Sequence, residues 1–392
     1  MTFRRIVWPL AVAETLVWAA LYYSFPALLL EWERDLGWSK TELVGALTLA
    51  LMTSALLGPV TGRFIDRGFG RLVFSGSAAL GTVLLAGLAW VEHLWQFYCL
   101  WFGIGVAMAG ALYEACFSVL THALGNEARR AITIVTLVAG LAGTLAFPSL
   151  HLLVGWVGWR DAVVIVAGVN LLVAVPLIWN ACWHADQMRA DQHAPGSAHP
   201  GVASRALRTP VFWLLAVAFS MAYVEHFSLL THLLPLLSER GLSDEVAVLT
   251  ASSIGPMQVV GRLAMLAVEK YVSTFWIAFT CFLAMSGAAT ALFCSQAIPM
   301  LLPLFVVLQG AGIGMSSILR PVMTAELLGR AHFGIISGFL AIPSILAAAL
   351  APTLAALVWR MGGYEMVILM AILTALVGLG CISSIPLLAS RR

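Results

Sequence analysis

The sequence predicts an all-α membrane protein, with twelve transmembrane helices in two pseudo-symmetric halves of six. Three observations carry that prediction. The chain is 61% hydrophobic and 10% charged, with a mean hydropathy of +0.95, whereas roughly a quarter of an ordinary globular protein is charged. Its apolar residues gather in twelve runs, each close to the ~20 residues a helix needs to cross a bilayer. The longest polar interruption, HADQMRADQHAPGSAHPGVASRALRTP at 184–210, falls after the sixth run. The expected organisation is therefore an N-terminal half at 1–183, a linker at 184–210 and a C-terminal half at 211–392.

The runs lie near 8–30, 41–62, 72–91, 95–120, 131–154 and 162–183, then 211–236, 246–268, 273–293, 299–319, 334–358 and 365–388. The first follows Arg4 and Arg5 but is too long for a signal peptide and lacks a small-residue cleavage site, so it reads as a retained span. The second is preceded by LGWSKTEL at 36–43, where Ser39 can cap the incoming helix. The third follows the charged stretch GRFIDRGFGR at 62–71. The fourth holds Glu114 and the fifth Pro148, and GWVGWRDA leads into the sixth. The seventh holds Glu225 and His226 in MAYVEHFSLLTHLLP, with His232 near its end; the eighth holds Arg262, the tenth Gln309, and the eleventh Pro343 and Pro352. Trp38 and Trp159 suit an interfacial aromatic belt.

Orientation follows from the positive-inside rule. With the N-terminus inside, the inner segments hold fifteen Arg and Lys against five in the outer ones. Both termini and the linker, with Arg205, Arg391 and Arg392, are expected on the cytoplasmic side. A net charge of +2 and the absence of a basic tract argue against nucleic acid as a partner. The six cysteines are scattered through apolar runs without CxxC pairs, so they read as small buried hydrophobes rather than disulfides or zinc ligands.

The halves echo one another. GPVTGR at 58–63 is answered by GPMQVVGR at 255–262, and GWVGWRDA after the fifth run by WRMGGYEM after the eleventh. Weak duplication of a six-span unit is the pattern of repeat-built secondary transporters, whose sites lie near the bilayer midplane.

The stretch at 62–71 resembles the G-x-x-x-D-R-x-G-R-R signature of the major facilitator superfamily through Gly62, Asp66, Arg67, Gly70 and Arg71, with Leu72 at the second basic position of the terminal pair. The resemblance spans the whole chain. It implies that these residues form a conformational latch, in which the acid pairs with cationic side chains and a helix end to hold the outward-open state. The glycines let two helices approach closely, as small residues do in membranes. LGWSKTEL, the Gly158–Trp159–Arg160 triplet and RPVMTAELLGRAHFGIISG at 320–338 look like bacterial members of the monocarboxylate-porter and oxalate/formate-antiporter branch.

An ionisable group inside the membrane costs at least about 2.5 kcal/mol on insertion scales, so each needs a reason. Carboxylate porters of the family carry an acid four residues before an arginine in span 8, and the matching residues here are Gln258 and Arg262. The retained arginine suits a bidentate clasp on a carboxylate, or it repeats Arg63 as a loop-edge charge. Glu114, Glu225 and His226 are the proton-coupling candidates, and Glu225 shares a helix face with His232. Glu114 either replaces the missing span-8 acid or pairs with Arg262. Tyr22 and Tyr113 are expected to offer hydroxyls to the substrate, as Tyr23 and Tyr223 can, and Gln309 in the tenth run is a further polar candidate through its amide. Glu14, early in span 1, is expected to be structural. His184, His193 and His199 sit in a Pro- and Gly-bearing tether, and no metal site is assigned to them.

The expected function is secondary active transport of a small, monocarboxylate-like organic anion, coupled to protons. The two halves would alternate access about a central site containing Arg262. The alternative is export of a drug-like or lipophilic compound on the same fold, against which stands GLAGTLAFPS at 140–149, where proton-driven exporters show G-P-x-x-G-G. No H-E-x-x-H, G-x-S-x-G or paired intramembrane aspartates supply catalytic chemistry, so no enzyme and no cofactor are expected. The expected setting is a monomer in a bacterial inner membrane, with a small-molecule substrate, protons and lipid as its partners.

Overall fold

A computed structural model of the chain describes residues 2–191, 206–330 and 332–389. The core of the expected linker, with His193, His199 and Arg205, lies outside the described residues, as do Arg391 and Arg392. Among the described residues the regular structure is helical throughout, with no strand.

Eight continuous helical stretches are long and apolar enough to cross a membrane, and three of them, of 49, 95 and 54 residues, exceed what one crossing needs. These three are folded back at glycines with positive φ: Gly68 in the first, Gly125 and Gly158 in the second, Gly363 in the third. Cutting the eight at these four glycines leaves twelve apolar segments. Gly68 (φ 96°, ψ 4°) and Gly158 (φ 78°, ψ 165°) occupy backbone regions open chiefly to glycine, which is why the chain turns there and not one residue away.

The helices that matter for the site are α1 (Thr2–Trp18), α2 (Ser24–Leu36), α3 (Lys40–Phe64), α4 (Gly70–Gly87), α5 (Leu94–Ala111), α6 (Tyr113–Leu124), α7 (Ala128–Ala139), α8 (Ala142–Val169) and α9 (Val175–Asp191). They are followed by α10 (Pro210–Glu239), α11 (Asp244–Val268), α12 (Thr274–Cys294), α13 (Leu301–Leu327) and α14 (Phe333–Ala389). Between α1 and α2 the helix widens into a π turn at Ala19–Tyr23, a feature that often marks functional sites. Ser39 caps α3: its hydroxyl accepts the Glu42 amide at 3.3 Å and its own amide reaches Glu42 Oε2 at 2.9 Å.

One sequence expectation is corrected. The fourth run, 95–120, is not one helix. It breaks at Leu112 (φ −104°, ψ −170°), whose carbonyl starts α6 by accepting from Ala115 and Cys116 at 3.0 and 3.3 Å. Apolarity specifies burial in lipid, not continuity, so hydropathy gave no sign of the break. Trp159 has a specific polar partner. It is 6% exposed and donates its indole N–H to Asp35 Oδ2 at 2.9 Å.

The contacts divide the chain into two compact units, one of Met1–Ala203 with Gly329–Ile342, the other of Ser204–Leu328 with Pro343–Arg392. The first is built on an aromatic core in which Phe25, Trp32, Phe97 and Trp101 meet edge to face or tilted at 4.9–6.5 Å. The second is mainly aliphatic, with Leu229, Leu233, Leu236, Leu292 and Phe305 in one buried cluster. Both use glycine where helices touch. In the first unit a Cβ on Gly105 would strike the Ala50 backbone, and one on Gly62 the Gly334 backbone. In the second, Gly261 abuts Ala311, and Gly314 abuts Gln258. Such seams replace the hydrophobic effect, which lipid abolishes, by close van der Waals packing.

Candidate functional site

In the first unit, the loop at 62–71 is tied to the start of α14. Asp66 sits in the tight turn Ile65–Phe69 that Gly68 permits. Its Oδ1 accepts the Gly334 amide at 2.8 Å and its Oδ2 the Ile335 amide at 3.0 Å. The first amides of a helix lack intrahelical acceptors and carry the positive end of its dipole, so a carboxylate from elsewhere in the chain completes them. Gly62 allows this approach by leaving room for the Gly334 backbone, and Gly70 packs on Val119. Arg67 is exposed, and Arg71 lies 4.6 Å from the Trp179 ring centroid with Nε 3.9 Å from Asp186 Oδ2.

Sequence reasoning missed His122, whose Nε2 is 2.8 Å from Asp66 Oδ1. The signal was spacing: His122 stands eight residues beyond Glu114, on the same face of α6. That face carries a second tie, because the Ser337 hydroxyl donates to Glu114 Oε2. Asp66, His122 and Glu114 thus converge on the first turns of α14.

Also in the first unit, Tyr22 and Tyr113 come together against Trp18, at ring-centroid distances of 5.4 and 4.8 Å, with Tyr23 5.1 Å from Tyr22. The π turn re-aims the two α1-side tyrosines and the break at Leu112 presents Tyr113, so both irregularities serve one cluster. Glu14, one turn before Trp18, is 0% exposed. Its carboxylate faces the Trp18 indole and the Cys116 thiol without closing a hydrogen bond of good geometry to either.

In the second unit, Glu225 and His226 are joined through Gln309. The Gln309 Nε2 donates to Glu225 Oε2 at 2.9 Å and lies 3.3 Å from His226 Nδ1. The three residues are 0%, 5% and 1% exposed. His232 is not the imidazole of this group; its Nε2 lies 3.2 Å from the Pro352 carbonyl. Seven residues give a common face but about 10 Å of rise, beyond the reach of the two side chains. Arg262, 9% exposed, donates through Nε to the Gly314 carbonyl at 3.3 Å. The backbone of Gln258, one turn earlier on α11, packs on the same Gly314.

Residues 10–339 match the sequence profile of the Major Facilitator Superfamily. The chain belongs to the major facilitator superfamily. Among relatives of this superfamily member, an MFS-type efflux pump of Mycolicibacterium smegmatis is 28% identical over 291 residues, or 70% of this chain and 65% of that protein's own length. The crystal structure of the E. coli fucose:proton symporter FucP shares the fold with a TM-score of 0.72 at 13% identity, covering 95% of this chain and 97% of that one. The proton:xylose symporter XylE matches with a TM-score of 0.67 at 14% identity, over 95% and 94% of the two chains. A bacterial homologue of the iron transporter ferroportin matches at 0.69 and 12% identity, over 97% and 98%. At such identities the likeness is one of fold. The chain thus has the multi-pass membrane fold of this superfamily.

Proposed function

We propose that this transporter couples the movement of a small organic anion of the monocarboxylate class to protons, by alternating access. The observation that carries the reading is Arg262, a guanidinium buried in a membrane-spanning helix and held at Nε by the Gly314 carbonyl. A guanidinium held in place by such a contact is oriented before its ligand arrives, and its planar, charged shape suits a carboxylate. Gln258, Tyr22 and Tyr113 supply further polar contacts in this reading. Glu225 and His226 carry the proton, with Glu114 as the second acid. Gly62, Asp66, Arg67, Gly70 and Arg71 act as the latch that the carboxylate-to-amide bonds of Asp66 support. The halves are 1–183 and 211–392, the linker 184–210 and both termini are cytoplasmic, and the protein works as a monomer in a bacterial inner membrane without enzymatic activity.

The test is uptake into proteoliposomes of labelled monocarboxylates, amino acids and lipophilic cations, with and without a pH gradient. Carboxylate uptake that rises with an imposed gradient and is lost in Arg262→Ala is the expected result. Unchanged affinity in that variant removes Arg262 from the substrate site. A second reading, export of a lipophilic compound, draws on the efflux pump relative and on the partly exposed aromatic cluster of Trp18, Tyr22, Tyr23 and Tyr113. Movement of the lipophilic cations alone selects it.

A further inference from the structure

We infer that Gln309 couples the protonation of Glu225 to the tautomer of His226, making the three residues one two-state element; this rests on the reading of Glu225 as the proton carrier. The geometry is specific. One amide nitrogen of Gln309 faces both Glu225 Oε2, at 2.9 Å, and His226 Nδ1, at 3.3 Å. An amide nitrogen only donates, so its two hydrogens divide between the carboxylate and the imidazole. Nδ1 must then be an acceptor, and the ring is the neutral tautomer with its proton on Nε2. The other two oxygens of the pair, Glu225 Oε1 and Gln309 Oε1, are buried with no hydrogen-bond partner among the described residues. A network with unused acceptors in a buried site is poised to take up a donor, and the smallest one is a proton.

The primary amide of Gln309 has nearly the same shape when its oxygen and nitrogen exchange places. Turned over, it would set Oε1 against both Glu225 Oε2 and His226 Nδ1, accepting from each. That orientation requires a protonated Glu225 and the Nδ1–H tautomer of His226. Each charge state of Glu225 therefore selects one amide orientation, and each orientation selects one tautomer. From the first state to the second, Glu225 gains one proton, His226 gains one on Nδ1 and releases one from Nε2, and net uptake is one proton. The residue converts a change of charge on α10 into a change in which edge of the His226 ring carries a hydrogen.

Few groups compete for this role. Among the described residues no cation pairs with Glu225. From α12 the titratable neighbour is Cys281, whose thiol donates to the Gly312 carbonyl at 3.1 Å. From α13 the polar neighbour is Gln309 itself, which does not titrate, and on α10 His232 is engaged by the Pro352 carbonyl. Switching is thus local to the three side chains.

The experiment uses the full chain in lipid nanodiscs and needs no substrate, because the ligand is the proton. Infrared titration follows the protonated-carboxyl band of Glu225, assigned by its absence in Glu225→Gln. Nitrogen NMR of labelled histidine follows the His226 tautomer, assigned with His226→Asn. In the native chain the His226 signals are expected to exchange Nε2–H for Nδ1–H with the same midpoint as the Glu225 band. Gln309→Met keeps the length of the side chain but cannot hydrogen-bond. In it Glu225 still titrates while the tautomer exchange is lost. Glu225→Gln, which removes the carboxyl titration, is expected to hold the neutral His226 ring in one tautomer across the pH range in which the native Glu225 band titrates, and serves where Gln309→Met fails to fold. A tautomer exchange that survives in either variant, or is absent from the native chain, overturns the inference. Absence of any Glu225 band overturns it together with the role of Glu225 as carrier, whereas uptake without gradient dependence counts against proton coupling alone.

Discussion

Asp66 and His122 stand 2.8 Å apart, on the turn after α3 and near the end of α6, while the same carboxylate receives two backbone amides of α14. The acid acts as a helix cap supplied from distant sequence, and His122 holds it in place. Asp66→Ala is expected to cost about 0.5–2 kcal/mol, the range for loss of an N-cap. Asp66→Asn, which keeps one acceptor oxygen, is expected to cost less. Thermal unfolding of the detergent-solubilised variants measures both, and equal losses would count against the capping role.

The closest backbone approach near this cap is Gly62 to Gly334. A Cβ at Gly62 meets backbone atoms that cannot rotate away, so Gly62→Ala is expected to cost about 1–3 kcal/mol by overpacking. Gly76, on α4, has open space where a methyl group would sit, with no atom within 4 Å of it. Gly76→Ala is the matched control and is expected to leave the melting temperature unchanged or slightly raised.

Glu114 and Ser337 make the second tie to α14. Ser337→Ala removes one interhelical hydrogen bond, worth about 0.6 kcal/mol in membranes. Glu114→Gln still accepts from the serine, so its stability is expected to change little. If Glu114 carries protons, that variant alone alters the pH dependence of uptake. An effect on pH dependence from Ser337→Ala as large as that from Glu114→Gln would assign the residue to packing.

Asp35 lies beyond the end of the first run, at 8–30, and receives the Trp159 indole and the Arg160 guanidinium. These bonds hold its carboxyl below the usual range. A group whose folded pKa is lowered stabilises above its unfolded pKa, and the contribution disappears as the pH falls through the folded value. Unfolding temperatures of the native chain and Asp35→Asn are therefore expected to differ at neutral pH and converge in acid. Because the site is exposed, the difference is small.

Much of the site was open to sequence reasoning in kind but not in arrangement. Glu114, Glu225, His226 and Arg262 stand out because an ionisable group inside an apolar run is expensive wherever it lies. Their partners do not stand out. Ser337, Gln309 and the Gly314 carbonyl are ordinary residues of apolar helices, and each sits 52 to 223 residues from the group it meets. The irregular intervals at Ala19–Tyr23 and Leu112 left no hydropathy signal, since both halves of a broken helix are equally apolar.

By itself, the sequence determined that the chain is helical, crosses a membrane repeatedly and carries a charged glycine-rich turn at 62–71, because lipid forces every backbone amide to be satisfied within a helix and expels charge from its core. Only the tertiary structure decided which carboxylate meets which donor: Asp66 the amides of α14, Glu114 Ser337, and Glu225 the amide of Gln309. Hydrogen bonds are directional and short, so their partners depend on helix rotation and axial position, and no pattern of hydropathy along a single chain encodes either.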